Sequence, residues 1–135
     1  MLRQNISSGT PWEEMAGYSR AVRVGNQVYV SGTTASDANG TVQYPSDPAG
    51  QTRYILNKIA AALAQAGASL EDVVRTRIFV RDLGDWQAVA RAHGEVFGTI
   101  RPANTLVRAE PIEPEMLVEI EAVAIVTQQD DKMTG

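Results

Sequence analysis

The stretch Met116-Leu117-Val118-Glu119-Ile120-Glu121-Ala122-Val123-Ala124-Ile125-Val126 decides the fold. No turn residue interrupts it, and branched apolar residues recur along it as in a strand packed on both faces. It reads as the central strand of a sheet. Successive side chains of a strand point to opposite faces, so Met116, Val118, Ile120, Ala122, Ala124 and Val126 share one side. Leu117, Glu119, Glu121, Val123 and Ile125 share the other. Two carboxylates therefore stand on one side of an apolar ribbon, about 6.5 to 7 Å apart at strand rise. Carboxylates desolvated beside a like charge have raised pKa values and need partners, which makes the pair a candidate for ligand binding or proton transfer. The same spacing also suits two edge or interface glutamates in salt bridges, and both readings stand.

The residues before this strand supply its neighbours. Glu110-Pro111-Ile112-Glu113-Pro114-Glu115 is a turn-rich acidic link. It follows a strand over 103–108, with Asn104, Leu106 and Arg108 on one face and Ala103, Thr105 and Val107 on the other. Arg101-Pro102 pushes the chain into extended conformation ahead of it. A helix over 86–97 is expected, capped by Asp85 and followed by Gly98, with Trp86, Val89, Ala90, His93 and Phe97 on one stripe. His93 is the only histidine, and it reads as a packed, satisfied side chain. With no cysteine in the chain, no metal site is expected. The alternation of Val74, Thr76, Ile78 and Val80 with Arg75, Arg77, Phe79 and Arg81 marks a strand whose second face is basic. That face reads as solvated, with an acidic subunit surface or an anionic ligand as the other use.

Further upstream, Ser69 with Asp72 forms a capping box that opens a short turn. Asp47 as N-cap with Pro48 at the first helical position starts a helix to about Ala66. Its buried stripe is Ile55, Leu56, Ile59, Leu63 and Ala66, and Gly67 follows as a C-cap. Tyr18 to Val24 and Gln27 to Ser31 form a hairpin across Gly25-Asn26. Ser31 to Asp37 reads as a loop whose hydroxyls and amides could line a pocket. Asn39-Gly40 marks a turn before a short edge strand at 41–43. Residues 1–16 read as an arm laid over the domain, with one turn at most in Pro11 to Met15, and 128–135 as a frayed tail.

The resulting order of strand pairs with helices between them indicates an α+β domain over 1–135, one mixed sheet with two helices on one face. A single helical layer leaves the second apolar face of the central strand uncovered. Burial by another subunit is the economical solution, so an obligate oligomer with ligand clefts between subunits is expected. The 135 residues suffice for a packed core without disulfides. No apolar run approaches the roughly 20 residues of a bilayer span, and no signal-type core follows Met1, so the cytoplasm is the expected location. A net charge of -4 argues against nucleic acid as the main partner.

Several blocks together resemble one family. Gly17-Tyr18-Ser19, Val30-Ser31-Gly32, Leu70 to Asp82, Arg101-Pro102-Ala103-Asn104-Thr105 and Val118 to Ala124 look like the Rid family, also called YjgF-like or L-PSP endoribonuclease-like proteins. The resemblance covers roughly residues 15–127. It implies a homotrimer of chorismate-mutase-like subunits whose sheets form a central barrel with three clefts between subunits. It also implies hydrolysis of short-lived enamines and imines to an oxo acid and ammonia, without any cofactor. Carried over residue by residue, the water-positioning glutamate is Glu119, and the substrate-binding positions are Tyr18, Ser31, Gly32, Asn104 and Thr105. The carboxylate-clamping arginine of deaminating members falls on Asn104, and their helix asparagine falls on Ala90. An amide there loses charge-assisted bonds of about 1.5 to 3 kcal/mol each. A strand sets Arg108 about 13 Å beyond Asn104, too far to stand in for the arginine; Arg101 is the other arginine close by in sequence.

Two function classes follow. In the first, Glu119 activates a water that attacks a C=N carbon. In the second, the same cleft holds a small metabolite and breaks no bond, a reading that the missing arginine favours. Ribonuclease or translation-inhibitor activity fits least well with the acidic charge and the lack of a histidine pair. A glycosidase-like pair of Glu119 and Glu121 has a tolerable separation but no other feature of a sugar site.

Overall fold

The computed structural model describes residues 2–127. Six strands form one mixed sheet in the order β1-β2-β3-β6-β4-β5. They are β1 (Arg3–Ile6), β2 (Ala21–Val24), β3 (Gln27–Thr34), β4 (Val73–Val80), β5 (Ala103–Arg108) and β6 (Val118–Ile125). The helices are α1 (Pro11–Ala16), α2 (Pro48–Gln65) and α3 (Trp86–Phe97). β6 runs antiparallel between β3 and β4, in the interior of the sheet, and among the described residues only β4 and β5 pair in parallel. The apolar strand of the sequence is therefore the one with a ladder on both sides.

Its alternation is realised as read. Val118, Ile120, Ala122 and Ala124 are buried under α2, together with Met116 just before the strand, while Glu119, Glu121 and Val123 on the second face are only partly covered. α2 begins where Asp47 accepts a hydrogen bond from the Gly50 amide at 2.9 Å, with Pro48 in the first turn. Ile55, Leu56, Ile59 and Leu63 make its buried stripe. α3 packs beside α2 and adds Val89, Ala92 and Phe97. The capping box of Ser69 and Asp72 is formed and opens a 3-10 turn at Leu70–Asp72.

Several boundaries differ from the sequence reading, each for a local reason. The segment read as an arm contains a strand and a helix, so the described residues hold three α-helices rather than two. β1 pairs with β2, and the Glu13 carboxylate, from within α1, gathers Ser7, Ser8 and Thr10 and faces Arg20 Nε at 3.7 Å. β3 runs on through Ser31 to Thr34, because β6 offers it a ladder that no sequence window reveals. Its register breaks between Val30 and Thr33, a bulge that contains Ser31 and Gly32. A second irregularity between Val73 and Arg75 buries Val73 and turns Val74 outward. The expected edge strand at 41–43 is a single bridge between Ser36 and Val42.

Trp86 is 48% exposed, and Ala92 takes the expected place of Ala90 in the core. Asp82, not Asp85, supplies a capping bond there, accepting from the Gly84 amide at 2.8 Å in the turn before α3. α3 ends at Phe97 with Gly98 after it, as expected, and a further turn carries the chain to Arg101, which adopts φ +58° and donates its amide to Phe97 O at 2.9 Å. The basic face of β4 is only partly solvated: Arg81 is folded against the 111–116 link and Arg77 is ion-paired. The expected tail over 128–135 lies outside the described residues. No helix among those described is long and apolar enough to cross a membrane.

Candidate functional site

Register decides which sequence candidates meet. Glu119 lies opposite Thr34 of β3 and Phe79 of β4, beside the β3 bulge. The bulge places Gly32 against the Glu119 side chain so closely that a Cβ there would collide with the carboxylate. Glycine is what lets Glu119 occupy this seat. A cavity of about 60 Å³ opens here, room for about two water molecules. Glu119, Arg20 and Lys58 bring charge to it, and Tyr18, Gly32 and Met116 are among the rest of its wall.

The two strand carboxylates have different fates. Glu121 is bound to Arg77, Nη1 to Oε1 at 2.8 Å, on a partly exposed surface. It follows the salt-bridge reading. Glu119 makes no hydrogen bond or ion pair among the described residues. Burial pushes its carboxyl above the ordinary glutamate value; Arg20 works against the rise and Glu121 adds to it. A carboxyl displaced upwards is closer to the range in which one group can both give and take a proton.

Tyr18 and Arg20 form the opposite wall. The Arg20 guanidinium lies 5.6 Å from the centre of the Tyr18 ring, and its Nη2 donates to the Tyr18 hydroxyl at 3.4 Å. Its Nη1 donates to Gly32 O at 2.7 Å and to Thr33 Oγ1 at 3.0 Å, so this buried cation fixes the bulge itself. On the far side of Arg20, burial alone would push the Glu13 carboxyl up, but donors from Ser8, Thr10 and Ser7 hold it below the ordinary value. Glu13 therefore stays ionised as the counter-charge of Arg20.

The remaining candidates lie elsewhere. Ser31 donates its hydroxyl to Ser19 O at 2.7 Å and lines a separate groove of about 220 Å³ on the open face, with Tyr29, Arg75, Arg77 and Glu121. Asn104 lies opposite Thr76 in the parallel pair, and Thr105 opposite Arg77. Asn104 thus belongs to the helix side of the sheet and Glu119 to the open side. Within one chain their Cα atoms are about 14 Å apart by strand spacing and rise. Asn104 Nδ2 donates to Thr76 Oγ1 at 3.0 Å, and Thr76 Oγ1 meets His93 Nε2 at 2.9 Å. The His93 ring also packs on Phe97, centroids 4.6 Å apart, and burial lowers its pKa. His93 is the packed, satisfied side chain that the sequence suggests.

Lys58 was not singled out from the sequence. The available signal was its place on α2, three residues after Ile55 and four before Ala62, both buried. A lysine at the border of an apolar stripe must find acceptors for its head.

Residues 10–126 match the family model described as Endoribonuclease L-PSP. The chain belongs to this family, the YjgF or Rid proteins. Family relatives include the 3-aminoacrylate deaminase RutC of Acinetobacter baylyi, 40% identical over 88% of this chain and 94% of that one. An uncharacterized protein of Streptomyces coelicolor is 39% identical over 90% of each chain. Among solved structures, Rv2704 of Mycobacterium tuberculosis, a member of the YjgF/YER057c/UK114 family, shares 48% identity at a TM-score of 0.84, covering 93% of this chain and all of that one. The sheet and helices described above are the L-PSP fold of these relatives.

Proposed function

We propose that the protein is a cofactor-independent deaminase of small enamines and imines, assembled as a homotrimer and working in the cytoplasm. The observation that carries the reading is Glu119, a half-buried carboxyl without a partner among the described residues, raised in pKa and lining a small cavity. An enamine is first protonated at carbon by the acid form of Glu119, which leaves an iminium ion and a carboxylate. That carboxylate then takes a proton from a water as the water attacks the C=N carbon. Collapse of the carbinolamine expels ammonia and leaves the oxo compound, so enamine plus water gives oxo acid plus ammonia. The 3-aminoacrylate deaminase among the relatives supports this substrate class. Tyr29, Val107 and Ile125, each 40 to 48% exposed on the face away from α2 and α3, support burial of that face by further subunits. In such an assembly Asn104 and Thr105 of one subunit would approach the Glu119 cavity of the next, together with Ser31.

A second reading has its own observation. Asn104 carries no charge and spends its amide on Thr76, which favours a trimer that binds a neutral metabolite without turnover. RNA cleavage, which the family's description names, is opposed by the net charge of -4. Ammonia release from 3-aminoacrylate and 2-aminoacrylate generated in situ decides between the first two. Turnover lost in Glu119→Gln is expected. Absence of turnover in the parent protein, with a metabolite raising its thermal midpoint, would establish the binding reading instead.

A further inference from the structure

Lys58 carries a charge into the Glu119 cavity that the chemistry above does not use. Its Nζ donates to Thr34 O and to Ser36 O, both at 2.8 Å. An ammonium has three N–H groups in tetrahedral array, so two backbone carbonyls leave one, and no acceptor for it occurs among the described residues. Lys58 lines the same cavity as Glu119 and Arg20. Four charged groups act on it or share its cavity. Arg20 repels it, while Glu13 and Asp37 attract it. Glu13 is committed to Arg20 and its serine and threonine donors, and Asp37 Oδ1 to the amides of Asn39 and Thr41. Glu119 lines the same cavity, and burial raises its pKa above the ordinary glutamate value. The cavity wall therefore carries two cations, Arg20 and Lys58, and one carboxylate, Glu119; Arg20 has Glu13 as its counter-charge behind the wall, and the third N–H of Lys58 has no acceptor among the described residues.

We propose that Lys58 is the anion-binding residue of this cavity, its third N–H taking the carboxylate of a small unsaturated amino acid or of the oxo-acid product, with Arg20 reinforcing the potential. The assignment rests on the cavity being the reaction site described above. It supplies within one chain the positive charge that Asn104 lacks, and it makes the site selective for carboxylates over neutral analogues. Burial, and secondarily Arg20, push the Lys58 ammonium down to about 8. At neutral pH the group is still mainly charged, and a bound carboxylate raises its pKa again.

Pyruvate and its neutral counterpart pyruvamide are the probes, with affinity followed by ligand-observed NMR and calorimetry. The parent protein is expected to bind pyruvate, with affinity falling as pH rises through about 8. Lys58→Met is expected to weaken pyruvate at least tenfold and leave pyruvamide unchanged. Failure of the parent to bind pyruvate, pyruvate affinity flat between pH 7 and 9.5, or equal affinity in Lys58→Met would each overturn the assignment. The pH series needs only the parent protein, so it decides the matter even if Lys58→Met, which strands the Thr34 and Ser36 carbonyls, does not fold. Glu119→Gln separates the two claims. Lost ammonia release with carboxylate binding independent of Lys58 removes the anion site alone, whereas unchanged ammonia release with binding dependent on Lys58 removes the role of Glu119 alone.

Discussion

Gly32→Ala tests whether the seat of Glu119 matters for function rather than for folding. Gly32 does not have a positive φ, so alanine is allowed by the backbone. The new Cβ would lie 3.1 Å from Glu119 Cδ and closer still to a carboxylate oxygen. Ordinary contact requires the carboxylate to move by about 1 Å. It is the free end of a flexible side chain beside a cavity, so it can swing aside at a cost below about 1 kcal/mol, less than a packed core would demand. The same 1 Å displacement of a reacting group costs on the order of 100-fold in rate, or about 2.7 kcal/mol in the barrier. Urea unfolding of Gly32→Ala should therefore stay near the parent, while kcat/KM for ammonia release falls about 100-fold. Parent-like turnover in a folded Gly32→Ala protein would mean that the seat of Glu119 does not matter, because the carboxylate would then act from more than one position.

Three further outcomes follow from the same geometry. Glu119→Gln should raise stability while removing activity: the folded state holds the Glu119 proton more tightly than the unfolded chain, so the parent loses stability as pH rises from about 4 through the raised folded value, and glutamine does not. Urea unfolding should show the parent losing stability between pH 5 and pH 8, and Glu119→Gln should remove that loss. His93 works in the opposite direction, since burial disfavours its charged form; the parent should lose stability as pH falls below about 6.5, and His93→Gln should remove most of that slope. Arg81→Lys should cost about 1 to 3 kcal/mol, because a compact ammonium cannot span the carbonyls of Met116, Pro111 and Glu113, which Arg81 holds at 3.1, 2.7 and 2.7 Å. Ile112 and Met116 of that link wall the cavity, so ammonia release should weaken with it.

Local chemistry was legible in the sequence and pairing was not. The alternation of β6, the Asp47-Pro48 start of α2, the capping box at Ser69 and the bounds of β5 all follow from the residues themselves, because dihedral preference and side-chain period act over a few positions. The continuation of β3 through Ser31 and Gly32 depends on β6, almost ninety residues away in the chain, and its bulge has no signature beyond one glycine. The site was legible to the same extent. Glu119 stands out as a charge on an apolar ribbon, but the division between it and Glu121 needed Arg77 on β4 to be placed opposite Glu121. The alternation along β5 was correct, yet only its pairing with β4 shows that Asn104 belongs to the helix side. Lys58 escaped because a lysine beside an apolar stripe is ordinarily a solvated head on a buried stem.

A carbon-13 NMR titration of the Glu119 carboxyl in the parent protein, assigned by comparison with Glu119→Gln, shows whether this group handles the proton. The expected midpoint lies above the ordinary glutamate range and coincides with the alkaline limb of ammonia release from an enamine, because the acid form of Glu119 starts the reaction. A midpoint in the ordinary range, or an activity profile indifferent to it, would show that Glu119 is a solvated surface acid and not the proton-transfer group of this cavity.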